Sequence, residues 1–466
     1  MNYMYKLSVY NFYFPVNDNL ALIYNSLSNS LCETTGEIIE KIETFRDTHF
    51  NLHQLTFISD ENTQLLLNNG MIIESDINEK EKVAHLINNQ KQQNKRIGSF
   101  SIIFLPTNAC NMNCPYCFEG TKNSEKNYHI IDEEVLNKLL NILEKEFTNP
   151  LTNKIQRLYV EWYGGEPLLA PSVIKKFSEK LICFATSRSL NYQSKIITNG
   201  TLLTKENWSL LRDCNINNVQ ITLDGDNTVH NKKRPLCNNK NSYYTILENL
   251  QHIPDGIYVP IRINIDKEIL PTVDHLLDDL EYYNIWPQKN YQTRPYLGYK
   301  EYYETGNTEE KRLYYNPKEY WQIENEFSQK LVSRYNSWAQ KNDINKTAKR
   351  KIDYPKRGSY TCALADLPYG IVIDEKGNAF KCMTPVNEPD EILTNIEYLN
   401  FSSFQHNKWV NFDRMSLPQC ANCKILPICN EDCTHRFLRN KVRCPDWKYS
   451  LKEKIISYYY NNFCGK

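Results

Sequence analysis

Residues 106–120 read PTNACNMNCPYCFEG, which spaces Cys110, Cys114 and Cys117 as C-x3-C-x2-C. The run just before them, SFSIIFLPT (99–107), is short and apolar, so the three cysteines follow a strand. A closed structural zinc site takes four ligands, and disulfides take cysteines in pairs. Three thiolates on one loop leave a coordination position open. That donor set suits zinc with an open site, or an iron–sulfur cluster with one iron free to bind a small chelating molecule.

Further short apolar runs continue the pattern: RLYVEWYGG (157–165), SKIITNG (194–200), NNVQITLDG (217–225) and YVPIRINID (258–266). Each ends in polar or glycine-containing residues, and helical periodicity fills the gaps. Repeated βα units imply parallel strands joined by right-handed crossovers. In barrels of this kind the functional loops lie beyond the carboxyl ends of the strands. GGEP, TNG and LDG therefore fall on the same rim as the cysteine loop.

The remaining chain divides around this core. Residues 1–95 read as a winged-helix-like α+β unit followed by a polar linker. Its strands YMYKLSVYNFYF and LALIYNSLSNSLCE, the latter a hairpin turning at Ser28-Asn29-Ser30, precede helices at TGEIIEKIETF and SDENTQLLLNN. Ser59 or Asp60 caps the second helix, which ends at Gly70 before the strand MIIES. Residues 96–300 carry the βα repeats, and 301–355 a helical bridge with Tyr320, Ile323, Phe327, Leu331, Tyr335 and Trp338 on one stripe. Residues 356–466 are turn-rich and cysteine-rich, a composition suited to a small domain stapled by metal.

Composition narrows the function. The 466 residues carry 55 basic and 55 acidic side chains, so no net charge favours nucleic acid and no polybasic run favours a membrane surface. No apolar run is long enough to span a bilayer, and the start lacks a charged leader before an apolar core. A cytoplasmic setting follows as the expectation, and there the 15 cysteines read as metal ligands rather than disulfides. Seven lie between Cys362 and Cys444. Cys32, Cys183, Cys214, Cys237 and Cys464 are scattered and read as ordinary small apolar residues.

The cysteine loop resembles the cluster loop of the radical S-adenosylmethionine (SAM) enzymes, C-x3-C-x-aromatic-C, with Tyr116 as the aromatic. Gly164, Gly165, Glu166 and Pro167 match that family's Gly-Gly-Glu-Pro motif one βα unit later. The resemblance implies a [4Fe–4S] cluster on Cys110, Cys114 and Cys117, with SAM chelating the open iron. It also implies glycine amides left free around the SAM amino group. Asn199, Thr222 and Asp224 lie where the family contacts SAM, and Arg234 is similar to its His-x3-Arg pattern.

The carboxyl-terminal segment reads C-x2-C-x5-C-x3-C at Cys420, Cys423, Cys429 and Cys433, with Cys362 and Cys382 upstream and Cys444 downstream. A zinc ribbon is an alternative for the C-x2-C part. The pattern resembles the SPASM domain of radical SAM enzymes that act on peptides, and it implies two auxiliary clusters. One would use Cys420, Cys423, Cys429 and Cys444. The other would use Cys362, Cys382 and Cys433, short of the extra cysteine found in many relatives. With the loop cluster, three [4Fe–4S] clusters are expected.

Together these resemblances imply an α/β fold with a partial (β/α)6 TIM-like barrel, a winged-helix-like unit before it and a SPASM domain after it. The implied activity is maturation of a ribosomal precursor peptide by hydrogen abstraction and crosslinking, through a thioether, carbon–carbon or ether bond. A flavodoxin or ferredoxin is the expected electron donor. One alternative is a formylglycine-forming sulfatase maturase, in which an Asp follows the residue matching Cys382; here Met383 follows. The other is a non-catalytic, metal-bound, peptide-binding scaffold. The resemblance identifies no catalytic side chain beyond the SAM-derived radical.

Overall fold

The computed structural model describes residues 3–96, 98–119, 128–148, 155–238, 240–300, 310–349, 352–431 and 433–464. Alternation of large apolar residues in the first 34 yields strands β1 (Tyr5–Leu7), β2 (Asn11–Asn17), β3 (Leu20–Asn25) and β4 (Ser30–Thr34). β2, β3 and β4 form an antiparallel sheet with β3 in the middle. The β3–β4 turn forms where expected: Asn29 adopts φ 61°, and the Asn25 carboxamide oxygen accepts the Leu27 and Ser28 amides at 2.9 and 2.8 Å. Helix α1 (Gly36–Glu43) starts on the Thr35 hydroxyl, and α2 (Asp60–Asn68) starts on Ser59. Gly70, at φ +68°, ends that helical segment, and β5 (Ile72–Glu74) returns antiparallel to β1. The polar stretch beyond it is helix α3 (Glu79–Arg96).

A second sheet is built from β6 (Gly98–Phe104), β7 (Ile155–Trp162), β8 (Asn191–Ile197), β9 (Ile216–Thr222), β10 (Val259–Ile265) and β11 (Thr293–Tyr299). They are parallel and lie side by side in chain order. The crossovers are α4 (Glu133–Phe147), α5 (Pro171–Ser187), α6 (Lys205–Asp213), α7 (Asn227–Lys233) with α8 (Ser242–Leu250), and α9 (Val273–Tyr282). Strands added always on the same side, through crossovers of one hand, put every helix on one face. Leu158, Val160, Trp162, Val219, Ile221, Ile261 and Ile263 accordingly pack with Leu139, Phe177, Leu211, Ile246 and Leu277 of the helices. The alternate residues, among them Tyr159, Glu161, Lys195, Thr222, Arg262 and Asn264, belong to the other face.

The sixth strand, TRPYLGY, is not among the runs singled out from sequence, because Pro295 and Gly298 weaken its pattern. It pairs with β10 over its whole length and lies at the edge of the sheet, where proline is tolerated. The bridge is helix α10 (Pro317–Lys341), capped by a reciprocal Asn316–Glu319 box and burying Tyr320, Phe327, Tyr335 and Ala339. β12 (Gly370–Ile373) then pairs parallel with β6, and β13 (Asn378–Phe380) and β14 (Thr394–Asn395) extend that edge antiparallel. The last helices are α11 (Pro418–Ala421), α12 (Thr434–Leu438) and α13 (Trp447–Tyr459).

The compact units therefore differ from four consecutive segments. One unit comprises Met1–Lys95, Lys351–Cys362 and Phe412–Lys466; the other comprises Arg96–Arg350 and Ala363–Asn411. Pairing of β12 with β6 explains why 363–411 joins the parallel sheet. In the first unit both faces of the amino-terminal sheet are apolar. Ala21, Ile23 and Cys32 pack on Ile39, Ile42 and Leu66, whereas Phe14, Leu22 and Tyr24 pack on Ile425, Ile428, Leu451, Ile455 and Tyr459. Residues 1–95 are thus covered by carboxyl-terminal side chains.

A fragment ending at Lys95 would lose that cover. It is expected to bind 1-anilinonaphthalene-8-sulfonate and to melt without a cooperative transition, as read by dye fluorescence and circular dichroism. A dye-silent fragment with a sharp melt would show that the sheet closes on itself.

Candidate active site

The three-cysteine loop leaves β6 at Phe104 and is held from both sides. Thr107 bridges to Ile130 and Met112 to Leu236. The Asn113 amide donates to the Pro235 carbonyl at 2.8 Å, and the Cys237 amide to the Asn111 carbonyl at 3.0 Å. Burial pushes the Cys110 thiol up to about 12 and the Cys117 thiol up to about 11. The neighbouring thiols at 114 and 117 add to the shift at Cys110, so the three lie within electrostatic reach of one another. Burial also raises Cys114, and the Arg234 guanidinium opposes that shift. Among the described residues no three His, Cys, Asp or Glu side chains are gathered tightly enough for a single ion. A cubane cluster asks for wider spacing, because each thiolate binds a different iron. Three soft donors that are reluctant to ionise alone fit such a cationic partner, which deprotonates a coordinating thiol outright.

The Gly164–Gly165 turn follows β7 and presses on this loop. Gly164 has φ +110°, and a Cβ there would meet the Thr107 carbonyl oxygen at 2.9 Å. A Cβ on Gly165 would fall 2.1 Å from the Ala109 carbonyl oxygen. The Gly165 amide donates to the Thr107 carbonyl at 3.2 Å, and the Glu166 amide to the Ala109 carbonyl at 2.7 Å. The Gly165 amide is thus spent on holding the cysteine loop, which corrects the expectation that it is left for SAM. The Glu166 carboxylate is fully buried, and both of its oxygens are engaged. They accept the Thr198 hydroxyl at 2.7 Å, the Asn199 amide at 2.8 Å and the Leu168 amide at 3.0 Å. Burial raises its pKa, and those donors pull it back down.

The Asn199 carboxamide donates to Asn111 Oδ1 at 2.7 Å, Asn111 donates to the Thr201 hydroxyl at 2.9 Å, and that hydroxyl donates to Asn199 Oδ1 at 2.6 Å. Asn111 was not singled out from sequence; its only signal is its place directly after the first cysteine. Tyr116 donates its hydroxyl to Asp224 Oδ2 and accepts from Arg234 Nη1 at 2.8 Å. Asp224 Oδ1 accepts the Asn264 amide at 2.9 Å. The Asp224 amide donates to His230 Nδ1 at 3.1 Å, which leaves the imidazole proton on Nε2. Burial and the Arg234 charge lower the His230 pKa well below its usual value, so the ring is neutral. The Lys300 ammonium lies 4.3 Å from the Tyr116 ring centre and pairs with Asp266 at 2.9 Å. Thr222 is buried on β9, in register with Arg262 of β10.

Cys237 corrects the reading of the scattered cysteines. It is exposed beside the loop and helps line a cavity of about 320 Å³ with Asn111, Thr201, Leu202 and Lys240. Cys183 and Cys464 are exposed too, whereas Cys32 and Cys214 are buried. In the other unit lie Cys420, Cys423, Cys429 and Cys444. Cys423 acts electrostatically on each of the other three, and burial pushes the Cys429 thiol up to about 12. Cys362 and Cys433 belong to that same unit and Cys382 to the parallel-sheet unit.

Residues 104–266 match the radical SAM superfamily. The chain is similar to the radical SAM cyclopropyl synthase TigE of Paramaledivibacter caminithermalis, at 24% identity over 46% of this chain and 48% of the synthase, so it spans about half of that relative. It is also similar to a cysteine-type anaerobic sulfatase-maturating enzyme of Clostridium novyi, at 25% identity over 79% of this chain and 95% of that one. Among solved structures it is similar in fold to native anSMEcpe with bound AdoMet and the Cp18Cys peptide, with a TM-score of 0.53 and 18% identity over 77% of this chain and 99% of that chain. Residues 104–266, in which the cysteine loop and the glycine turn join at one end of a parallel sheet, are the part of the chain that matches the radical SAM superfamily.

Proposed function

We propose that the chain matures a ribosomal precursor peptide by radical chemistry that begins at Cys110, Cys114 and Cys117. The supporting observation is the pair of amide bonds by which Gly165 and Glu166 lock the cysteine loop to the glycine turn. A [4Fe–4S] cluster held there by three thiolates supplies one-electron reductive cleavage of SAM to methionine and a 5′-deoxyadenosyl radical. Glu166 ties the turn to the Asn199 backbone, so the two loops that would face SAM hold a fixed distance. Tyr116, Asp224 and Arg234 form one hydrogen-bonded set next to Cys114, poised to bind the polar groups of SAM without rearranging. Gly164, Gly165, Asn199 and Thr222 complete the proposed cofactor surface.

A peptide substrate is favoured by the face of the parallel sheet away from the helices. Parallel sheets are ordinarily apolar on both faces. Here Tyr159, Glu161, Lys195, Arg262 and Asn264 replace the second apolar layer, and polar backbone can enter beside them. Tyr159 donates to Glu161 at 2.6 Å, and Arg262 Nε donates to Asn264 at 2.7 Å, so this face is already ordered. The amino-terminal sheet, read as winged-helix-like, would add the leader of the precursor as a further strand. Cys420, Cys423, Cys429 and Cys444 are the proposed ligands of one auxiliary cluster, and Cys362, Cys382 and Cys433 those of another in a SPASM-type arrangement. A flavodoxin or ferredoxin would supply the electron, in the cytoplasm. Among the described residues no helix is long and apolar enough to cross a membrane.

Formylglycine formation is the second reading, favoured by the match over nearly all of the sulfatase-maturating enzyme. Met383 after Cys382 weighs against it, because a thioether side chain cannot take a proton at neutral pH. Mass spectrometry decides between them. A crosslinked product keeps its cysteine or other joined residues and loses hydrogen. A sulfatase-derived peptide whose cysteine becomes formylglycine would overturn the crosslinking assignment.

Replacing Cys114 by Ala is expected to abolish reductive SAM cleavage, measured as 5′-deoxyadenosine by chromatography, while iron bound through the Cys420 set persists. Wild-type 5′-deoxyadenosine from this variant would reject the loop as the cluster site. Gly165→Ala should weaken SAM binding at least tenfold, about 1.4 kcal/mol, in equilibrium dialysis. The added methyl would strike the Ala109 carbonyl, so unchanged affinity would show that the loop does not depend on that contact.

A further inference from the structure

Arg414 is 1% exposed, yet among the described residues no carboxylate pairs with its guanidinium. Glu431 is nearby, but its carboxylate pairs with Arg436 at 3.1 Å and Arg443 at 3.3 Å. Arg414 Nη1 donates instead to the Glu431 backbone carbonyl, and Nη2 is buried with no hydrogen-bond partner. The guanidinium is 4.6 Å from the Phe437 ring centre and 5.5 Å from that of Tyr360. Aromatic faces attract a cation but do not neutralise it. A buried guanidinium is costly where, as among the described residues here, no carboxylate pairs with it.

Arg414 is linked to two of the cysteine-bearing segments. Arg414 opens the turn into α11: its carbonyl accepts the Leu417 amide at 3.1 Å, and the Leu417 carbonyl accepts the Cys420 amide at 2.9 Å. Glu431, which takes the Nη1 proton donor, lies two residues beyond Cys429. Through these bonds Arg414 ties the Cys420 turn to the segment that carries Cys429. We infer that Arg414 is the fixed counter-charge of the Cys420–Cys423–Cys429–Cys444 site, and that it sets the reduction potential of the cluster bound there. The inference rests on the reading of those four cysteines as iron ligands. Reduction of such a cluster by one electron adds one negative charge, which a fixed neighbouring cation stabilises.

The test uses the full chain, reconstituted with iron and sulfide and titrated with dithionite as the one-electron source, with cluster signals followed by electron paramagnetic resonance. Arg414→Met keeps the bulk and removes the charge; Arg414→Lys keeps the charge. The Met variant is expected to lower the reduced-to-oxidised ratio of the auxiliary cluster at least tenfold at fixed potential, a shift of about 59 mV for one electron. The Lys variant should recover most of that shift, and the signal of the Cys110–Cys114–Cys117 cluster serves as the internal reference. Assembly of the cluster in the Lys variant but not in the Met variant would also support the counter-charge. Unmoved potentials in both variants overturn the inference, as does failure of both to assemble a cluster in folded protein. Wild-type protein that binds zinc instead of iron at these cysteines would overturn the underlying reading, and metal analysis separates that outcome from the others.

Discussion

The site depends on a carboxylate that water does not reach. Glu166 is fully buried, and its ionised form is stabilised by the Thr198 hydroxyl and the Asn199 and Leu168 amides. Hydrogen bonds to a charged group contribute about 1.5–3 kcal/mol each, and an unsatisfied buried carboxylate would forfeit them. The glycine turn, the Asn199 turn and the cysteine loop therefore form one piece. The backbone of Glu166 faces the Ala109 carbonyl while its side chain faces the next strand end, so a single residue joins three loops.

The chain buries its two sheets in different ways. The amino-terminal antiparallel sheet is apolar on both faces and is covered on both, by its own helices and by the segment that includes Ile425, Ile428 and α13. The parallel sheet is covered by helices on one face only, because its strands add in one direction. Its other face carries charged and hydroxyl-bearing side chains in place of a second apolar layer. Stability and chemistry are thereby separated: the helix-covered face holds the core, and the strand ends hold the cysteines, the glycine turn and the Tyr116–Asp224–Arg234 set.

Arginine recurs beside the thiols for the same electrostatic reason in both units. Arg234 lowers the cost of ionising Cys114, and Arg414 does so for Cys420 and Cys429. Desolvated thiols ionise poorly, so each site carries a cation that is itself too buried to be neutralised by water. Arg234 shares its charge with Tyr116 and Asp224, whereas among the described residues Arg414 meets a carbonyl and two rings.

By itself the sequence determined the parts that are local. The C-x3-C-x2-C loop after a strand, Gly-Gly-Glu-Pro one βα unit later, the capped helices and the βα order are all set by neighbours within a few residues, and the structure shows them there. Tertiary structure decided which partners meet. Asn111 reaches Asn199 across 88 positions, and the Tyr459 hydroxyl reaches Glu33 across 426. Periodicity reported that β2 and β3 have apolar faces, but not that Leu451 and Ile455 cover one of them, since any apolar stripe would match equally well. Pro295 and Gly298 hid β11, whose place at the sheet edge makes both residues acceptable. The sequence of Arg414 shows only a cation; its enclosure by Tyr360 and Phe437 exists because two other stretches of chain close on it, and burial is what strengthens that charge.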